Sequence, residues 1–146
     1  MKTLTVILAI LFTSIAWAAD PAPPAAPAAA AAPAAAAVPL VSQDALLARE
    51  AKHDPTLFLL DVRSAEEFAQ GHVPGAVNIP HDQVAARLAD IPKDKDVVLY
   101  CHSGRRAGIA AGVLQSHGYT KLMHLDGDMM GWTAKARPVE TGAAKP

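Results

Sequence analysis

Four short apolar runs, at residues 56–62, 77–79, 97–100 and 119–125, constrain the fold of this chain more than any other feature. Those at 56–62 and 97–100 are nearly continuous rather than alternating, which suits strands covered on both faces. Helix punctuation lies around them. Ser42 N-caps a helix over residues 43–52 with Ala45, Leu46 and Leu47 toward the core, and His53-Asp54-Pro55 ends it. Ser64 and Glu67 form a capping box for a short second helix, with Gly71 as its C′ residue. His81-Asp82 starts another helix over 83–89, stopped near Pro92. Residues 105–116, rich in Ala and Leu, form a helix that His117-Gly118 closes. Strands alternating with helices predict an α/β domain, a mainly parallel sheet with helices on both faces. In such sheets ligands bind beyond the carboxyl ends of the strands.

The N-terminal part cannot join that fold. Residues 4–15 form an apolar run behind Lys2, and Ala16-Trp17-Ala18 places small residues for cleavage after Ala18. Residues 1–18 therefore read as a signal peptide, which implies a periplasmic protein. The alternative is an N-terminal anchor left uncleaved. The run falls short of the roughly 20 apolar residues of a membrane span, so no stable insertion is expected. Residues 20–39 hold 12 Ala and 6 Pro. Proline blocks helix propagation and alanine offers little apolar surface, so 19–39 read as a semi-extended linker. That leaves a single domain at 40–139 and a disordered tail at 140–146. Setting Lys2 aside, 12 basic residues face 14 acidic ones, which argues against a nucleic-acid-binding face.

There is one cysteine, Cys101. Exported domains use cysteines in pairs as staples, so a lone thiol is either buried and inert or kept for its reactivity. Its place favours reactivity. The run 97–100 leads straight into Cys101-His102-Ser103-Gly104-Arg105-Arg106-Ala107, a strand, a tight loop and a helix start. Backbone N–H groups and the helix dipole form an anion cradle there. Arg105 and Arg106 add full charges, and His102 adds another when protonated. Gly104 lets the backbone turn. The expectation is a thiol ionising below the free value of about 8.5, with Arg106 as an anion-binding residue and Ser103 and Gly104 acting through their N–H groups.

This loop resembles the active-site loop of the rhodanese family, C-x-x-G-x-R. Asp61-Val62-Arg63, Glu67-Phe68 and the stretch from Gly71-His72-Val73-Pro74-Gly75 to Asn78-Ile79-Pro80 are similar to that family's N-terminal signature. Leu125-Asp126-Gly127 through Trp132, then Pro138-Val139, resemble its C-terminal one. The likeness runs in order from about residue 40 to 139, and it is nearest to the small secreted single-domain forms. Two positions depart from the pattern. Gly127-Asp128 stands where two glycines are usual, and Ala136-Arg137 where a glycine usually precedes Pro-Val.

The resemblance implies a thiosulfate sulfurtransferase needing no metal or organic cofactor. Cys101 would take a sulfane sulfur from thiosulfate or a similar small-molecule donor as a persulfide. It would then yield it to a thiophilic acceptor such as cyanide, a thiol or a periplasmic thiol protein. Asp61 and Arg63, just past a strand end, either brace the site or form a local salt bridge. His72 reads as a structural hydrogen-bonding residue and Trp132 as packing. His81, His117 and His124 lack metal-ligand spacing.

Other functions compete. Cysteine phosphatases, and arsenate reductases on this fold, carry C-x5-R, whereas Cys101 to Arg106 is C-x4-R, a smaller cradle suited to a sulfur atom. A sulfur-delivery or binding module without turnover is the other alternative. A self-contained disulfide oxidoreductase lacks its second cysteine.

Overall fold

The computed structural model describes residues 37–143. The expected signal peptide, nearly all of the expected linker and residues 144–146 lie outside the described residues. In chain order the elements are β1 (Leu40–Val41), α1 (Gln43–Ala51), β2 (Leu57–Asp61), α2 (Ala65–Gln70), β3 (Val77–Asn78), β4 (Asp96–Tyr100), α3 (Arg105–Ser116), β5 (Leu122–Leu125) and α4 (Asp128–Ala134). One parallel five-stranded sheet has the order β1-β5-β4-β2-β3. It is the expected α/β architecture.

The central strands explain why their runs are apolar throughout. Along β2 and β4 successive side chains point to opposite faces. Leu60, Val97, Leu99 and Cys101 join Ala107, Ala110, Ala111 and Leu114 of α3 in one core cluster. Leu59, Val98 and Tyr100 join Leu46 of α1 and Met129 and Trp132 of α4 in the other. Each buried Leu or Val contributes roughly 1.5–3 kcal/mol, so both helical layers are held by strands that spare no residue for solvent.

Helix ends follow local chemistry. Ser42 accepts from the Ala45 N–H at 3.2 Å, and Ser64 and Glu67 make the expected capping box. Helices α1, α3 and α4 end alike: the next residue but one is left-handed, and the following N–H reaches back to a carbonyl of the last turn. Those residues are His53 (φ 51°), Gly118 (φ 81°) and Ala136 (φ 51°), with Asp54, Tyr119 and Arg137 bonding the carbonyls of Arg49, Leu114 and Trp132. Only α3 has the glycine that suits this turn.

Several expectations need correction. Ala45 faces solvent, while Gln43 is buried in its place. Gln43 donates to the Asp126 carbonyl at 3.0 Å and accepts from Arg137 at 3.1 Å. Gly71 caps α2 in an extended conformation rather than a left-handed one. Residues 83–89 do not form an α-helix. Most turns there close between residues three apart and end in a 3-10 helix, Leu88–Asp90, because the segment must bury Val84 between Pro80 and Pro92. Tyr119 precedes β5, and its buried hydroxyl donates toward the carbonyls of Leu88 and Ile91. Beyond residue 139 the chain is tied down: Glu140 exchanges two backbone bonds with His72, and the Gly142 N–H reaches the Ala69 carbonyl.

Candidate active site

Cys101 follows β4 at the carboxyl edge of the sheet, between the two central clusters and the start of α3. Its side chain is only 1% exposed. Three features surround the sulfur. Gly104, left-handed at φ 93°, turns the loop so that its N–H donates to Sγ at 3.1 Å. The free N–H groups of the first turn of α3 begin there. The Arg106 guanidinium carries its charge near the same thiol, and its raised pKa owes more to Glu67 than to Cys101.

Arg106 is not a free anion binder. It makes a two-pronged ion pair with Glu67, at 2.5 and 2.8 Å. That pair is the main cause of its raised pKa and holds the Glu67 carboxyl down at about 2. Glu67 accepts from the Ser64 N–H with the same Oε2 atom that meets Arg106. The capping box of α2 thus doubles as the anchor of the active loop. Arg106 also lines a cleft of about 310 Å³ with Ser64, Ala65, Glu66, Pro80, His81, Asp82 and Gln83. A small anion in this cleft would meet the Arg106 guanidinium.

The rest of the loop divides clearly. His102, Ser103 and Arg105 are exposed. Ala107 is buried at 1% in the core beneath α3 and packs rather than binds. Asp61 and Arg63 form a buried, two-pronged pair, Nη2 to Oδ2 at 2.7 Å, and Arg63 also donates to the Gly71 carbonyl at 2.7 Å. The Tyr100 hydroxyl accepts from the Val73 N–H at 3.1 Å, and the Arg63 guanidinium lies 5.8 Å from the Tyr100 ring centre. Burial first, then Asp61, raises the Tyr100 pKa. Arg63 thus reaches Tyr100, the residue before Cys101, and no hydrogen bond or ion pair of Asp61 or Arg63 among the described residues meets the sulfur. His72 is buried, bonds the Phe68 carbonyl at 2.9 Å and stacks on the Phe68 ring. Trp132 is buried, donating to the Pro138 carbonyl at 2.7 Å.

Sequence reasoning missed the floor of the site. Asp128 accepts from the Cys101 N–H at 2.8 Å and from His124 Nε2 at 3.0 Å. The first N–H groups of α4 take the loop carbonyls, Met129 that of Cys101 and Met130 that of His102, both at 3.1 Å. Glu67 carried a signal in its capping box, but nothing local marks its partner 39 residues away. No group of His, Cys, Asp and Glu among the described residues is arranged to hold a metal ion. No helix among them is long and apolar enough to cross a membrane.

Residues 42–135 match the family model for the rhodanese-like domain. The chain belongs to the rhodanese family. A sulfurtransferase of Allochromatium vinosum is 35% identical over 99 residues, covering 68% of this chain and 92% of that protein. The thiosulfate:glutathione sulfurtransferase of Saccharomyces cerevisiae is 34% identical over 96 residues, covering 57% and 69%. A crystal structure of a Lactobacillus plantarum protein superposes with a TM-score of 0.64 at 27% identity, covering 70% and 87%. Other rhodanese relatives are longer, and the chain spans less than half of their length. Together these relatives support rhodanese-type sulfur transfer as the general chemistry of the domain.

Proposed function

We propose that this rhodanese domain is a thiosulfate sulfurtransferase working through a persulfide on Cys101. The supporting observation is the convergence of the Gly104 N–H, the α3 start and Arg106 on the one thiol of the chain. In the first half-reaction Sγ attacks the outer sulfur of thiosulfate. The sulfur–sulfur bond breaks and sulfite leaves with its electron pair. The terminal sulfur of Cys101–S–S⁻ then carries the negative charge, which the loop N–H groups and Arg106 stabilise. In the second half-reaction a thiophilic acceptor, cyanide or a thiol, attacks that terminal sulfur and Cys101 leaves as the thiolate. No general base is assigned, because the nucleophile reacts as the thiolate. The reading of residues 1–18 as an export signal would place this exchange in the periplasm.

Intact mass after incubation with thiosulfate tests the first step. The expected result is a gain of one sulfur atom, reversed by cyanide and absent in Cys101→Ser. A folded protein that gains no sulfur overturns the proposal. The six-residue C-x4-R loop also predicts no turnover of an aryl phosphate, and substantial phosphatase activity would count equally against it.

A further inference from the structure

We infer that Asp128 and His124 form a positioning pair that sets the charge behind Cys101. In this arrangement a carboxylate fixes the cysteine's backbone amide, and a histidine proton cancels that carboxylate's charge. The loop then accepts an anionic donor while His124 is protonated and resists it once His124 is neutral. The inference rests on Cys101 being the reacting sulfur.

The geometry carries it. Asp128 is 5% exposed and stands where the sequence pattern leads one to expect a glycine, with a left-handed backbone (φ 50°) that an aspartate tolerates better than most residues. From there Oδ1 receives the Cys101 N–H at 2.8 Å. His124, on β5, meets both oxygens, at 3.1 and 3.0 Å. The pair also touches the other flank of the loop. A Cβ on Gly104 would lie 3.1 Å from Asp128 Oδ2 and 3.2 Å from His124 Cε1. The same Gly104 supplies the N–H that reaches Sγ. One carboxylate and one imidazole thus back both backbone groups that shape the sulfur's surroundings.

A buried carboxylate this close opposes any second negative charge at Cys101, whether thiolate, persulfide or thiosulfate. Protonated His124 removes that opposition. Asp128 raises the His124 pKa, burial opposes the rise, and Asp126 adds to it. The cleft beside His124 is lined by uncharged residues, Gly108, Ala111, Gly112 and Gln115 of α3 and Ala37 and Val38 ahead of β1. The charges that act on the His124 proton are those of Asp128 and Asp126.

The test uses the single thiol and two alkylating agents. The ratio of the iodoacetate rate to the iodoacetamide rate cancels the thiolate fraction and reads the field at Cys101. In the wild type the ratio should fall about threefold or more as His124 loses its proton above pH 6.5. In His124→Gln it should be low already at pH 6. In Asp128→Asn and Asp128→Gly it should stay high throughout, and glycine suits the left-handed backbone if asparagine folds poorly. His102 and His81 contribute alike in the wild type and in His124→Gln, so the difference isolates His124. A flat ratio in the wild type, or the same fall in His124→Gln, overturns the inference. A purely structural pair would change both rates together. Both agents alkylate a thiol that takes no sulfur from thiosulfate, so failed sulfur loading would sink the sulfur-transfer reading and leave this result to be judged separately.

Discussion

Replacing Glu67 with glutamine removes a charge that serves two elements at once. The Glu67 carboxyl ionises at about 2 rather than the ordinary 4.5, chiefly because Arg106 holds it. A difference of that size corresponds to about 3 kcal/mol at full value. The two side chains are 34% and 28% exposed, so solvent screening reduces the contribution to about 1–2 kcal/mol. A carboxyl with a depressed folded-state pKa stabilises above its unfolded value, and that stability is lost as pH falls through the folded value. Glu67→Gln should therefore lower stability by about 1–2 kcal/mol at pH 7, a Tm lower by roughly 5–10 °C. The gap should narrow below pH 4.5 and be small near pH 2. Urea titrations of both proteins across that range measure it. A loss of equal size at pH 7 and pH 2.5, or none at pH 7, would refute the assignment of this energy to the ion pair.

Ala136→Gly should stabilise the domain by about 0.5–1 kcal/mol, read as a higher urea midpoint, because it relieves a left-handed alanine (φ 51°). Glu50 is pushed up to about 7, by burial and then by the Glu140 carboxylate. Its folded value is raised, so stability present below pH 4.5 is lost as pH rises toward and through 7, and Glu50→Gln should match the wild type at pH 4.5 yet be the more stable at pH 8. Tyr100→Phe strips a partner from the Val73 N–H, bonded at 3.1 Å, and should cost about 1–3 kcal/mol in thermal unfolding. Arg106→Lys keeps the charge but loses the two-pronged hold of Glu67, and sulfur loading followed by mass should slow about tenfold to a hundredfold.

What the sequence disclosed was whatever short-range patterns encode. The capping box at Ser64 and Glu67, the helix Arg105–Ser116 and the central strands are each written in contiguous residues, and each is present. Gln43 went unread because its polar side chain is buried only by partners at Asp126 and Arg137. The segment at 83–89 has helical composition, yet burial of Val84 between two prolines forces tighter turns. In the site, Cys101 and its loop are contiguous and legible. Arg106 was read as free because its partner is far away in sequence. Asp128 shows in the sequence only as a departure from a glycine pattern, since no pattern tells that its carboxylate meets an amide 27 residues earlier.

That last span bears on how the protein comes to life during synthesis. The amide of Cys101 finds its acceptor in Asp128, and the carbonyls of Cys101 and His102 find their donors in Met129 and Met130. A growing chain that has only just completed β4 and α3 holds a thiol whose loop has no floor. The cysteine is armed from behind, by a helix made after it, the last among the described residues.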